Sequence, residues 1–111
     1  MKKAEFRTWM KEVRGLCAHT ANLRNSNCKR VEMAHGCLDQ HFLRDRGKSL
    51  LKTLAYSSAD ERENAPARHR VKIDGKLRTG SATLRQAVRR YMEFCAEPKK
   101  PLIVEPIENY L

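Results

Sequence analysis

The residues best suited to bind a charged ligand lie in the segment HRVKIDGKLRTGSATLRQAVRRYMEF, residues 69–94. Its first cations lie on or beside a turn predicted by Asp74-Gly75, a position suited to phosphate contact. Its later arginines lie on the polar face of a predicted helix, a rigid element suited to entering a groove or clamping a backbone. Two cations of an earlier helix extend this strip. The predicted nucleic-acid-binding set is Arg70, Lys72, Lys76, Arg78, Arg85, Arg89, Arg90, Lys29 and Arg30.

The overall charge supports an anionic partner. The chain has 23 Lys and Arg against 13 Asp and Glu, a net charge of +10. The excess is densest around the same segment: residues 1–64 carry +5, residues 65–100 carry +7 and residues 101–111 carry −2. Phosphate neutralisation is a common use of such a patch, so the predicted partner is DNA, with RNA left open. A membrane surface is disfavoured because no predicted helix offers a wide apolar face to lipid.

Metal binding is not indicated by the cysteines. Cys17, Cys28, Cys37 and Cys95 contain no CxxC pair. The nearest approach to a ligand set joins Cys28 and Cys37 with His35 and His41, but its spacing matches no zinc-site pattern. We therefore expect buried apolar thiols, with no metal and no cofactor.

Catalysis is not indicated either. The acidic residues occur singly or at predicted helix starts, where helix capping accounts for them. His69 lies between Arg68 and Arg70 with no nearby acid to orient it, and Gly75 and Gly80 do not form a phosphate-binding loop. The prediction is a protein that is not an enzyme, with a metal-dependent nuclease as the remaining catalytic alternative.

The elements that must position this surface are predicted to be mainly helical. A chain of 111 residues suits one domain with one modest core. The periodicity predicts a bundle of about five helices, with one small basic β-hairpin or turn before the last helix and an extended C-terminal tail. The helical nucleic-acid-binding module covers residues 1–97, and the Pro-containing tail covers residues 98–111.

Several local features follow from the apolar periodicity. The first helix spans residues 3–15, with Trp9 in its apolar stripe as a core anchor. Leu23 is expected on the apolar face of the second helix, and Leu43 is expected to point inward from the third. The stretch from Thr79 to Ser81 offers hydroxyl groups that are expected to cap the start of the last helix.

The tail contains a run of apolar residues that is expected to be buried against another surface. Its members are Leu102, Ile103, Val104 and Ile107. The run either lies back on the helices of this chain or docks on a partner, by strand addition or by self-association. Both possibilities stay open at the level of sequence.

The N-terminal residues carry no apolar segment of the kind found in signal peptides. No continuous apolar stretch of the sequence approaches the length needed for a transmembrane helix. The predicted location is the cytoplasm, without a membrane partner.

Three stretches resemble a known module: residues 25–32 (NSNCKRVE), residues 36–42 and residues 50–94. They resemble a small helical module at the N-terminal end of bacterial HNH-type or restriction-type endonucleases, over about residues 6–95. The pattern places a basic turn before a helix, here at His69, Val71, Ile73 and Gly75, then Ala87, Val88, Tyr91 and Phe94. The helical layout is also similar, by topology alone, to the core-binding domain of tyrosine recombinases. Both resemblances imply DNA contact without catalysis, because the cleavage residues of those proteins would lie in a following domain.

Two hypotheses about function follow. The first is a non-catalytic DNA-binding module linked to a bacterial or phage restriction, recombination or defence system. The second is a small phage or mobile-element protein that binds, and inhibits or regulates, a nucleic-acid-processing or defence complex.

Overall fold

The computed structural model describes residues 1–97, which form a helical bundle. Within these residues there is no strand, so the expectation of a mainly helical fold is confirmed. The predicted tail, with Leu102, Ile103, Val104 and Ile107, lies outside the described residues. No helix in the described part is long and apolar enough to cross a membrane. The helices are α1 (Lys3–Glu12), α2 (Ala18–His35), α3 (Leu38–Asp45), α4 (Lys48–Leu54), α5 (Ser58–Arg62) and α6 (Leu77–Ala96).

The last helix, α6, is the centre of the bundle, and the other five helices pack against it. Its buried residues recur at helical spacing, which turns one apolar stripe towards the core. The apolar spacing predicts this stripe at Leu84, Ala87, Val88, Tyr91, Phe94 and Cys95; the first five are buried and Cys95 is half-buried.

An aromatic cluster joins α1 to the C-terminal half of α6. Phe6 lies edge-on to Tyr91 with ring centroids 5.0 Å apart, and Trp9 lies 5.7 Å from Phe94. The indole Nε1 of Trp9 also donates a hydrogen bond to Glu97 Oε1 at 2.7 Å. Trp9 is only 7% exposed, so its predicted place in the core is confirmed.

A polar cluster ties the start of the chain to the middle of α6. The buried Tyr91 hydroxyl donates to the Asp39 carboxylate and accepts the Lys2 backbone N–H at 2.8 Å. Glu32 Oε2 accepts from the Met1 amine at 3.0 Å and from the Leu38 N–H at 2.9 Å. Burial raises the pKa of Tyr91, and its bond to Asp39 raises that pKa further. The phenol therefore stays protonated and holds α1, α3 and α6 together.

Three local expectations are wrong. Leu23 is 51% exposed and Leu43 is 82% exposed, because α2 and α3 turn Cys28 and Leu38 to the core instead. The last helix begins at Leu77, so residues 79–81 lie inside it rather than capping it. The Ser81 hydroxyl is buried against His69, which explains a polar residue on the inner face.

The segment before α6 is a turn and not a β-hairpin. Residues 70–76 form no strand, and Gly75 has a φ of 91°. Of the two predicted forms, the structure has the turn. We call residues 69–76 the basic loop.

Candidate nucleic-acid interface

A groove of about 700 Å³ lies between the C-terminal half of α2, the basic loop and the first turns of α6. We call it the basic groove. Its lining includes three cations and one carboxylate, so its charge is positive. The lining residues are Arg30, Met33, Ala34, Arg70, Val71, Lys72, Ile73, Asp74, Gly80, Thr83 and Leu84.

Two arginines hold the basic loop against α2. The Arg30 guanidinium donates to the Lys72 carbonyl oxygen, and Arg70 Nη2 donates to the Ala34 carbonyl oxygen at 2.7 Å. A guanidinium has five N–H donors, so each bond leaves donors for an anion. The guanidinium groups of Arg30 and Arg70, which come from opposite sides of the basic groove, are thereby held in place before any ligand binds.

His35 fixes the backbone of the same loop. Its Nε2 accepts the Arg70 backbone N–H at 3.1 Å, which requires that nitrogen to be unprotonated. Burial lowers the pKa of His35, and the charges of Arg70, His69 and His41 lower it further. His35 is therefore a neutral acceptor near neutral pH.

His69 fixes the loop from the other side, against α6. Its Nδ1 accepts the Val71 N–H at 3.2 Å, so its Nε2 carries the proton and donates to Ser81 Oγ at 2.7 Å. His69 is 6% exposed, and burial lowers its pKa. The histidine of the HRVKIDG segment is thus a structural residue that positions Arg70 and Lys72.

Ile73 reaches α6 at Gly80, a contact that sequence reasoning missed. A Cβ at Gly80 would lie within 3.0 Å of the Ile73 side chain, closer than real Cβ atoms come. Gly80 lies inside α6, where the absence of a side chain leaves room for Ile73 of the basic loop. A lone glycine inside a helical pattern is the signal that indicates such a close approach.

Met33 is a second residue that the sequence analysis did not select. It lines the basic groove and is 79% exposed, on the same helix as Arg30. An exposed apolar side chain beside cations gives the groove a mixed apolar and positive surface.

The other predicted cations lie outside the basic groove. Lys76 is exposed at the N-cap of α6, and Arg78 lies 3.6 Å from Glu61. Lys29 is exposed on α2 and lines a separate depression with Glu32 and Met33. These three cations flank the groove region without entering it.

The α6 arginines are partly occupied within the fold. Arg85 Nε donates to the Leu51 carbonyl oxygen at 3.3 Å, and Arg90 pairs with Glu93 at 2.9 Å. Arg89 is exposed. The structure therefore divides the predicted set, with Arg30, Arg70 and Lys72 around the basic groove and the α6 arginines farther along the helix.

The cysteines of the described residues form no disulfide. Within residues 1–97, no three His, Cys, Asp or Glu side chains are arranged to hold a metal ion. Burial raises the pKa of Cys28 to about 12. Cys28 is thus a protonated core residue.

Comparison with protein-family models found no match, and searches of curated proteins and of solved structures found none either. The residues and their geometry therefore carry the functional argument.

Proposed function

We propose that this chain is a non-catalytic DNA-binding module that grips the phosphate backbone through the basic groove and the surface beside it. The observation that carries the proposal is the convergence of Arg30 from α2 with Arg70 and Lys72 from the basic loop. Within the described part of the chain, Asp74 is the only carboxylate that lines the groove, so the balance of charge favours an anion.

The energetics suit a polyanion. Each phosphate neutralised by Lys or Arg releases condensed counterions, and this release drives sequence-independent binding. A net charge of +10 adds long-range attraction that speeds association. Arg30 and Arg70 lose little side-chain freedom on binding, because both are already bonded to backbone carbonyl oxygens.

The start of α6 extends the surface. The first turn of α6 contains no acidic residue, Lys76 is its N-cap and Arg78 lies within this turn. The positive end of a helix dipole favours anions at this position. A phosphate backbone that leaves the basic groove would therefore meet further positive potential.

The biological setting rests on the sequence resemblance alone. It suggests a bacterial or phage restriction, recombination or defence system, in the cytoplasm, with the cleavage chemistry supplied by another domain or protein. A role as an inhibitor or regulator of such a complex, through Leu102, Ile103, Val104 and Ile107, stays the alternative prediction.

Charge-neutral variants test the proposal. The triple variant R30Q/R70Q/K72Q removes three charges from the basic groove and keeps a polar side chain at each position. The matched control R44Q/K48Q/K52Q removes three exposed charges that do not line the groove. Fluorescence anisotropy with labelled duplex and single-stranded DNA is expected to show at least about tenfold weaker binding for the groove variant than for the control. Equal affinities in the two triple variants would overturn the proposal.

A further inference from the structure

The basic groove has apolar surface that a phosphate backbone does not need. Val71, Ile73 and Leu84 line it together with the cations, and Met33 stands exposed in the lining from α2. A duplex presents sugar and phosphate on its outside and keeps its base faces stacked within. An unpaired nucleotide presents an apolar base face beside its phosphate. The lining therefore matches the chemistry of single-stranded nucleic acid.

The shape of the basic groove points the same way. Its volume of about 700 Å³ is comparable with the roughly 300–1,000 Å³ of small-ligand sites, and the groove is open to solvent along one side, as a site for a nucleotide within a longer strand must be. A nucleotide is a ligand of that size, whereas a duplex is wider than such a concavity. The basic loop is bonded to α2 through Arg30, Arg70 and His35 and to α6 through His69, so the groove is present before binding.

The cations are placed to serve both parts of a nucleotide. Arg30 and Arg70 lie on different segments of the lining and retain free N–H donors, which bind phosphate oxygens. Guanidinium planes also stack on unpaired bases. Among residues 1–97, no aromatic side chain lines the groove, so this role falls to the arginines.

We propose that the basic groove holds an unpaired nucleotide of single-stranded nucleic acid, with its phosphate on Arg30, Arg70 and Lys72 and its base against Val71, Ile73 and Met33. This inference rests on the proposed DNA-binding function and specifies its substrate class. The flanking residues Lys76 and Arg78 contact the neighbouring phosphates of the same strand.

A groove-filling variant tests the inference without altering charge. Thr83 is exposed and lines the groove, so T83F occupies the space of the base. Ala82 is the exposed neighbour on the same helix and does not line the groove, so A82F is the matched control. Circular dichroism of both variants checks that the helices are retained.

The probes are a labelled oligodeoxynucleotide of about 15 residues, within the range of single-strand site sizes, and the duplex of the same sequence. The wild-type chain is expected to bind the single strand at least about tenfold more tightly than the duplex, and T83F is expected to lose most of that preference. A82F is expected to retain the preference.

Two other results would overturn the inference in distinguishable ways. Binding of the duplex as tightly as the single strand, unchanged in T83F, would contradict the single-strand assignment and leave the DNA-binding function standing. Failure to bind either probe would contradict both proposals.

Discussion

The backbone N–H of Arg70 donates to Nε2 of His35 across 35 residues of sequence, at 3.1 Å. The position of Arg70, a cation of the basic groove, therefore depends on the neutral imidazole of His35. The arrangement exists only while His35 is unprotonated, because a protonated ring offers no acceptor.

The His35 bond makes the fold sensitive to acid. The pKa of His35 is lowered in the folded protein, so the unfolded chain, with a pKa of about 6.5, binds the proton first as pH falls. The contribution of His35 to the free energy of unfolding should be fully present above about pH 6.5, and it should decrease as the pH falls below that value. Urea denaturation at successive pH values measures this dependence.

His35→Gln tests the assignment of this effect. The Gln side chain keeps an acceptor near the position of Nε2 but does not titrate in this range, so the variant should lose part of the pH dependence. His19→Gln, at an exposed position of α2, is the control and should behave as the wild type. Equal losses of stability in wild type and His35→Gln on acidification would contradict this role.

Replacing Gly80 by alanine should change the free energy of unfolding in the direction opposite to that usual for this substitution inside a helix. Replacing glycine by alanine inside a helix normally stabilises it by about 1 kcal/mol. Here the new Cβ would meet the Ile73 side chain, so G80A should lower the free energy of unfolding by about 1–3 kcal/mol. Thr79→Ala, at the exposed neighbour, should change stability by no more than about 0.5 kcal/mol in urea denaturation. A more stable G80A would mean that Ile73 does not pack on α6 as described.

The bundle was largely predictable because its strongest signals are local. The periodic apolar residues of α6 predicted its buried stripe, and Trp9 lay in the middle of another stripe. Glycine is typical of helix ends, and Gly36 and Gly47 lie with positive φ at the end of α2 and the start of α4. Such signals depend on neighbours within one or two turns of helix.

The basic groove was only partly predictable because it depends on contacts between distant segments. Arg30 was selected for its charge, but its bond to Lys72 spans 42 residues. The periodicity gave no reason to select Met33, and Leu43 was assigned to the core although α3 buries only Leu38. Which polar face meets which loop is set by tertiary packing, which a periodic pattern does not encode.

The α6 arginines should matter less for DNA binding than the groove cations. Arg85 and Arg90 already bond Leu51 and Glu93, so they gain less from a phosphate. The triple variant R85Q/R89Q/R90Q removes the same charge as R30Q/R70Q/K72Q and should weaken DNA binding less in anisotropy titrations. A loss equal to or larger than that of the groove variant would move the binding surface to the outer face of α6.

Removing residues 98–111 separates DNA binding from the alternative protein-binding hypothesis. The deleted segment contains two Lys and two Glu, so the net charge stays at +10. DNA affinity should change by less than about twofold, because the phosphate contacts are retained. A loss of self-association in sedimentation would support a docking role for the tail, and a large loss of DNA affinity would contradict the assignment of binding to residues 1–97.

The salt dependence of DNA affinity tests the central claim most directly. For a chain that binds through phosphate contacts, the logarithm of the association constant falls linearly with the logarithm of salt concentration, by about 0.9 per contact on duplex and about 0.7 on a single strand. The account predicts that R30Q/R70Q/K72Q reduces this slope by about two to three units, while R44Q/K48Q/K52Q reduces it by less than about one. A flat salt response of the wild-type chain, or the same slope in all three proteins, would contradict it.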